Sequence, residues 1–239
     1  MRESEFRTGV IKPIECFKEG WEAIKPHYWL LFAITLIGML IGGFSFYILL
    51  GAMVCGIFVC YFRALDGQEV AIEDLFKGFE YFWPGLILTA IIVLPGFILF
   101  GLMYAPLVIA TMGGSVLSQD EFLALLSGFI VVELIFAIIM ACLHTLVMFS
   151  YPLIVDRKLS AFRAIIVSSK AVLKNLKGVA GLWVASFVAA IAGYLALCVG
   201  VYFVIPVIFA ANIAAYRKVF PRLEVQMDGP PPPDSYEAA

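Results

Sequence analysis

Glu133 is the single formally charged side chain within the apolar run 122–150, and His144 lies eleven residues further along the same run. A charged carboxylate at a bilayer centre costs at least about 2.5 kcal/mol on insertion scales, so an ionisable residue there asks for a reason. At about 1.5 Å per residue the two lie about 16 Å apart on one helix, near one face, too far for contact or shared metal ligation. A path of waters between them would carry a proton or cation. Asn212, in a later apolar run, completes the candidate intramembrane polar site. The structural alternative is a protonated Glu133 that hydrogen-bonds Asn212, Tyr104 or Thr89 and holds helices together. No catalytic constellation accompanies these residues. The sequence has no GxSxG, HExxH or Gly-rich phosphate loop, and only His27 and His144 supply imidazoles. Cys16, Cys55, Cys60, Cys142 and Cys198 show no CxxC or Cys/His ligand spacing, so neither a disulfide framework nor a metal site is expected. The chain reads as a protein that is not an enzyme and uses no cofactor.

The elements that position these residues follow from composition and charge. With 63% hydrophobic and 14% charged residues and a mean hydropathy of +1.00, the chain lies far outside the soluble range. An all-α, polytopic helical membrane protein is expected. Its sixteen Lys and Arg residues sit at the ends of apolar runs and form no stripe, so nucleic acid is excluded as a partner. The stretch 151–178 gathers six of them. Read as one helix, it places Arg163, Lys170, Lys174 and Lys177 on one face, with Phe162, Ile165, Val172, Leu173 and Leu176 roughly opposite. Such a helix lies along a membrane surface, its cations among anionic lipid head groups, and the positive-inside rule places it in the cytoplasm.

The remaining spans follow from that anchor. Residues 11–25 form a first amphipathic stub, with Ile14, Phe17, Trp21 and Ile24 as its apolar stripe, and 70–83 form a second, ended by Trp83 and Pro84. The run 28–62 is uncharged for thirty-five residues, about 52 Å as one helix against a hydrocarbon core of about 30 Å. A break at Gly42, Gly43 and Ser45 folds it into a short hairpin, either crossing or re-entrant, and keeps every Lys and Arg on one side. A span follows over 85–112, with kinks expected at Pro95 and Pro106, and then an acidic external loop, GGSVLSQDE. The fourth span covers 122–150. The run 179–216 repeats the length problem and folds into a second hairpin at Gly193, Gly200 or Pro206. About six membrane helices result, with two short hairpins, three interfacial amphipathic helices, and both termini cytoplasmic. Residues 1–222 form one membrane domain with a weak parallel repeat of 11–63 in 160–218, and 223–239 form a disordered, Pro-rich cytoplasmic tail.

The segments PLIVDRKLSAFRAIIVSSKAVLKN and RALDGQEVAIEDLFKGF resemble a broad group of uncharacterised bacterial multi-span proteins, similar to the membrane domain attached to some glycerophosphodiester phosphodiesterases. The phosphodiesterase domain itself is absent, and the resemblance implies helices in a bacterial inner (cytoplasmic) membrane without catalytic residues. Two functional readings stand. The first is a non-enzymatic scaffold or accessory subunit, partnered by lipids and by other membrane subunits or a second copy. The second is a small transporter or channel with Glu133 and His144 on a polar path.

Overall fold

Apolar runs shielded from water must satisfy their own N–H and C=O groups, and helix does so within each segment. The computed structural model describes residues 6–112, 118–196 and 200–222. Its helices are α1 (Pro13–Ile24), α2 (Tyr28–Phe44), α3 (Leu50–Leu65), α4 (Phe82–Met112), α5 (Gln119–Leu146), α6 (Ser150–Arg157), α7 (Ala161–Lys174), α8 (Leu176–Leu195) and α9 (Gly200–Val219), with a 3-10 segment over Ile72–Tyr81. No strand occurs among the described residues. Five helical stretches are long and apolar enough to cross a membrane, as a membrane protein requires, and Leu50–Leu65 is a shorter apolar helix. The tail 223–239, Cys198 and most of the loop 113–121 lie outside the described residues.

The break in the first long run falls at the small residues. Ser45 Oγ donates to Gly42 O at 2.9 Å and accepts from Leu49 N at 3.1 Å, so one hydroxyl ends α2 and starts α3. Phe46 and Tyr47 complete the turn with φ of 52° and 65°, unusual for bulky side chains. The second hairpin closes through Gly193 and Gly200, where a Cβ on Gly200 would meet Gly193 O at 2.4 Å. Pro206 is not a break point: it lies buried inside α9.

Two further expectations are corrected. The fourth apolar stretch runs further than 122–150, over Gln119–Arg157, and its helix is interrupted at 147–149 between α5 and α6. The basic stretch 151–178 is not one helix but parts of three. Lys158 adopts φ 51°, ψ 35°, the left-handed conformation that stops α6, and Asn175 separates α7 from α8. Val172, expected on the membrane face, is buried against the protein.

The helices fall into three units of like order, 13–65, 72–157 and 161–219, each an amphipathic stub followed by a hairpin. Every stub packs on the last helix of another unit, and small residues set the distance. Gly20 of α1 abuts α9, where a Cβ would lie 2.7 Å from the Ala210 carbonyl carbon. Gly78 of the 3-10 segment faces α3, where a Cβ would lie 2.0 Å from Ala52 O, and Gly56 answers it from α3, 1.9 Å from Leu75 O. In α7, Ser168 takes this place: its Oγ donates to Leu146 O at 2.7 Å and accepts from Phe149 N at 3.1 Å, satisfying the break between α5 and α6. The arrangement is cyclic, because the stub of the first unit rests on the final helix of the third. The core sits at the end where α3, α6 and α9 finish, built around buried Tyr61, Phe149, Tyr216 and Phe220.

Candidate functional site

His144 and Asn212 line one cavity, and Glu133 does not. The last turn of α5 brings in His144, α8 contributes Trp183 and Ser186, α9 contributes Phe209 and Asn212, and Phe58 of α3 closes the back. The cavity holds about 370 Å³, within the range of about 300–1,000 Å³ typical of small-ligand pockets. His144 Nδ1 lies 2.8 Å from Met140 O. A carbonyl only accepts, so Nδ1 is the donor of this bond. Ser186 and Asn212 make no hydrogen bond to any described residue. No Lys, Arg, Asp or Glu lines the cavity. Ser186 escaped the sequence reading because a helical serine is ordinary; its place between Trp183 and Phe187 in an uncharged run is the signal that marks it.

The same comparison across units shows how unusual that cavity is. In the first unit Thr35 donates to Leu31 O and so accepts from Tyr61 OH at 3.0 Å, joining α2 to α3. In the second, Thr89 donates to Gly85 O and accepts from Tyr151 OH at 2.8 Å, joining α4 to α6. In the third, Ser186 and Asn212 line the cavity and their side chains make no hydrogen bond among the described residues, while Tyr216 of α9 donates to Asp156 instead.

Glu133 is exposed in the middle of α5 and has no hydrogen-bond or ion-pair partner among the described residues. None of the partners expected for it reaches it: Thr89 is engaged with Tyr151, Asn212 lines the cavity, and Tyr104 packs its ring tilted against Phe100, centroids 4.4 Å apart. The hairpin that carries it is largely bare. None of the most apolar stretch of the α5 span is buried, and Phe97, Ile98, Phe100, Ile130, Leu134 and Ile138 are all exposed. Gly96 and Gly101 of α4 and Gly128 of α5 have nothing within 4 Å of a Cβ position, whereas Gly51, Gly56 and Gly78 are pressed against backbone.

The four residues expected at lipid head groups, Arg163, Lys170, Lys174 and Lys177, are all exposed. In α7 the surface divides three ways at 100° per residue. Ala161, Ala164, Ser168 and Ala171 are buried; Phe162, Ile166 and Leu173 form an exposed apolar strip; Arg163, Lys170 and Lys174 form an exposed cationic one.

Two charge clusters went unread in the sequence. Asp156, one residue before Arg157, accepts from Tyr216 OH and from Arg217 Nη1, each at 2.7 Å. Arg217 also lies 3.5 Å from Asp66 and stacks over Phe62 at 4.4 Å, Arg222 pairs with Asp66, and Arg157, itself buried, stacks over Phe220 at 5.0 Å. The ends of α3, α6 and α9 are thereby tied together. Asp74, 4% exposed, accepts from Ala71 N at 3.0 Å and Lys77 Nζ at 2.6 Å and lies 3.2 Å from Arg63 Nε. Burial disfavours its charge, but the Lys77 and Ala71 hydrogen bonds and the Arg63 charge outweigh that and hold its carboxyl below the usual range.

Among the described residues no group of three His, Cys, Asp or Glu side chains is placed to hold a metal ion. No family model, curated protein or solved structure matches the chain.

Proposed function

We propose that the protein is a non-enzymatic accessory or scaffold subunit of a membrane complex, and that the α4–α5 hairpin is its docking arm. The observation that carries this is Glu133, exposed and unpartnered on a hairpin that the rest of the chain leaves bare. Apolar exposure alone says little, since lipid tails cover an apolar helix as well as another helix does. A carboxylate facing lipid is different, because it costs at least about 2.5 kcal/mol that a donor on a neighbouring helix offsets. Gly96, Gly101 and Gly128 add to this, since glycine weakens a helix by about 0.5–1 kcal/mol against alanine unless something packs closely. The partner is a helical membrane subunit, or a second copy, with a hydrogen-bond donor opposite Glu133.

In this reading the chain crosses a bacterial inner membrane with six helices, counting α3 and taking α5 with α6 as one. Both termini lie in the cytoplasm with the three stubs, and α7 sets its apolar strip in the acyl region and Arg163, Lys170, Lys174 and Lys177 among head groups. The test is recovery of the tagged full chain from native membranes in mild detergent, with mass spectrometry of co-purifying proteins. A subunit recovered at fixed ratio with the wild type, and lost with Glu133→Leu and Gly128→Leu while helix content is unchanged, is the expected result. Recovery of the chain alone would return the transport reading to first place, with Glu133→Gln in a liposome flux assay as the next step.

A further inference from the structure

The cavity bounded by α5, α8 and α9 offers the side chains of Ser186 and Asn212, which make no hydrogen bond among the described residues, and His144, bonded there through Nδ1 alone. We infer that it binds a neutral glycerolipid of the diacylglycerol class, whose free hydroxyl and ester carbonyl are held by His144, Ser186 and Asn212. The chemistry is read from the donors and acceptors. With Nδ1 of His144 committed to Met140 O, Nε2 is the ring nitrogen left for a ligand, and a hydroxyl, which both gives and accepts, suits it. Asn212 has an amide N–H to give to a carbonyl, and Ser186 a hydroxyl that both gives and accepts. A polar side chain in an apolar region is costly while unpaired, and Ser186 and Asn212 are both without a partner in the described chain.

The walls select the rest of the ligand. Phe58, Trp183, Phe187 and Phe209 make the lining aromatic, and Trp183 and Phe187 are 43% and 62% exposed, so the rim opens sideways where an acyl chain enters from the bilayer. The absence of Lys and Arg from the lining argues against a phosphate, which would arrive with a charge and find no cation. The first and second units show what the site lacks: there a threonine and a tyrosine close the equivalent hairpin on each other, whereas Ser186 and Asn212 stay apart. A hydroxyl and a carbonyl from a lipid would take the role that the tyrosine hydroxyl takes elsewhere.

The experiment uses the full chain in liposomes containing a trace of diacylglycerol with a diazirine in one acyl chain. After irradiation and digestion, the labelled residues are located by mass spectrometry. Labelling should fall on α8 and α9 around Trp183, Phe187 and Phe209, drop at least about five-fold with Asn212→Leu and with Ser186→Ala, and be competed by unlabelled diacylglycerol. Ser186→Ala removes one hydroxyl and leaves the packing intact, and competition is read on the wild type, so the test does not depend on any variant that fails to fold. Three results would overturn the inference. One is equal labelling by a phosphatidylcholine probe with the same chain, which would mean ordinary annular lipid. Another is equal or stronger labelling by a phosphatidylglycerol probe, which would mean an anionic lipid. The third is labelling that ignores both substitutions and the competitor, which would leave a cavity filled by water.

Discussion

Replacing Gly78 by alanine tests one of the tightest packings among the described residues. The new Cβ would stand 2.0 Å from Ala52 O and 2.5 Å from Gly56 N, both backbone atoms of α3. Ordinary contact at that pair is above 3 Å, so the 3-10 segment and α3 have to separate by more than 1 Å. No rotamer change relieves a clash of this kind, because neither obstacle is a side chain. Separation also loosens Leu75, which is fully buried, and draws Asp74 away from Arg63. Overpacked sites cost about 1–3 kcal/mol, and a backbone obstacle puts this one at the upper end. At about 2–4 °C per kcal/mol for a chain of this size, the melting temperature falls by about 6–12 °C. Gly56→Ala, with its Cβ 1.9 Å from Leu75 O, should do the same. Gly43→Ala, in the last turn of α2 with nothing within 4 Å, should leave the melting temperature unchanged or raise it slightly. The assay is thermal unfolding in detergent followed by circular dichroism. A Gly78→Ala protein that melts with the wild type, or a Gly43→Ala protein that loses as much, would refute the close approach of the stub to α3.

Asn175→Ala removes the side chain that accepts from Gly9 N at 2.7 Å and donates to Arg7 O at 3.0 Å, leaving two backbone groups unpaired at a cost of about 2–4 kcal/mol, and protease sensitivity should rise first in residues 6–12. Asp74→Asn should destabilise by about 1–2 kcal/mol at neutral pH, read from the same melts. Because the folded carboxyl is held below its ordinary value of 3.8, the stabilisation from Asp74 is complete above that pH and is lost as pH falls below it, so wild type and Asp74→Asn should converge only under strongly acid conditions. Arg217→Lys keeps the charge but loses the planar group that bonds Asp156 while stacking on Phe62, and should cost about 1–3 kcal/mol, with Tyr216→Phe costing less.

The long uncharged runs made the first hairpin legible, because a chain that avoids charge for thirty-five residues and then meets Gly42, Gly43 and Ser45 has one economical way to fold back. His144 and Asn212 were legible as polar residues in apolar runs, and the structure brings them to one cavity although they lie on different helices. Glu133 was legible as an anomaly but not as an exposed one, since nothing in a single sequence tells which helix face lacks a neighbour. Lys158 gave no sign of its left-handed backbone; a glycine, as at Gly67 after α3, would have announced the stop. Asp156 gave no signal for a different reason: its partners Tyr216 and Arg217 are sixty and sixty-one residues away, and only the folded chain shows that three helix ends meet there. The middle unit was obscured because its second helix breaks at 147–149 and its stub is 3-10 rather than α, which hides the likeness to its neighbours.

The seat of α1 on α9 bears on the order in which the protein can be assembled. Lys218 reaches Glu19 at 2.8 Å across 199 residues of sequence, and Arg7 N donates to Val219 O at 2.8 Å. A chain synthesised from its N-terminus makes α1 before α9, the surface that receives it. Until the third unit is made, Gly20 lacks the Ala210 and Ala211 backbone it packs on, and α1 can meet α3 but neither α8 nor α9. The ring closes when residue 219 is in place, so α1, made before every other helix of the ring, is among the last to find its final position.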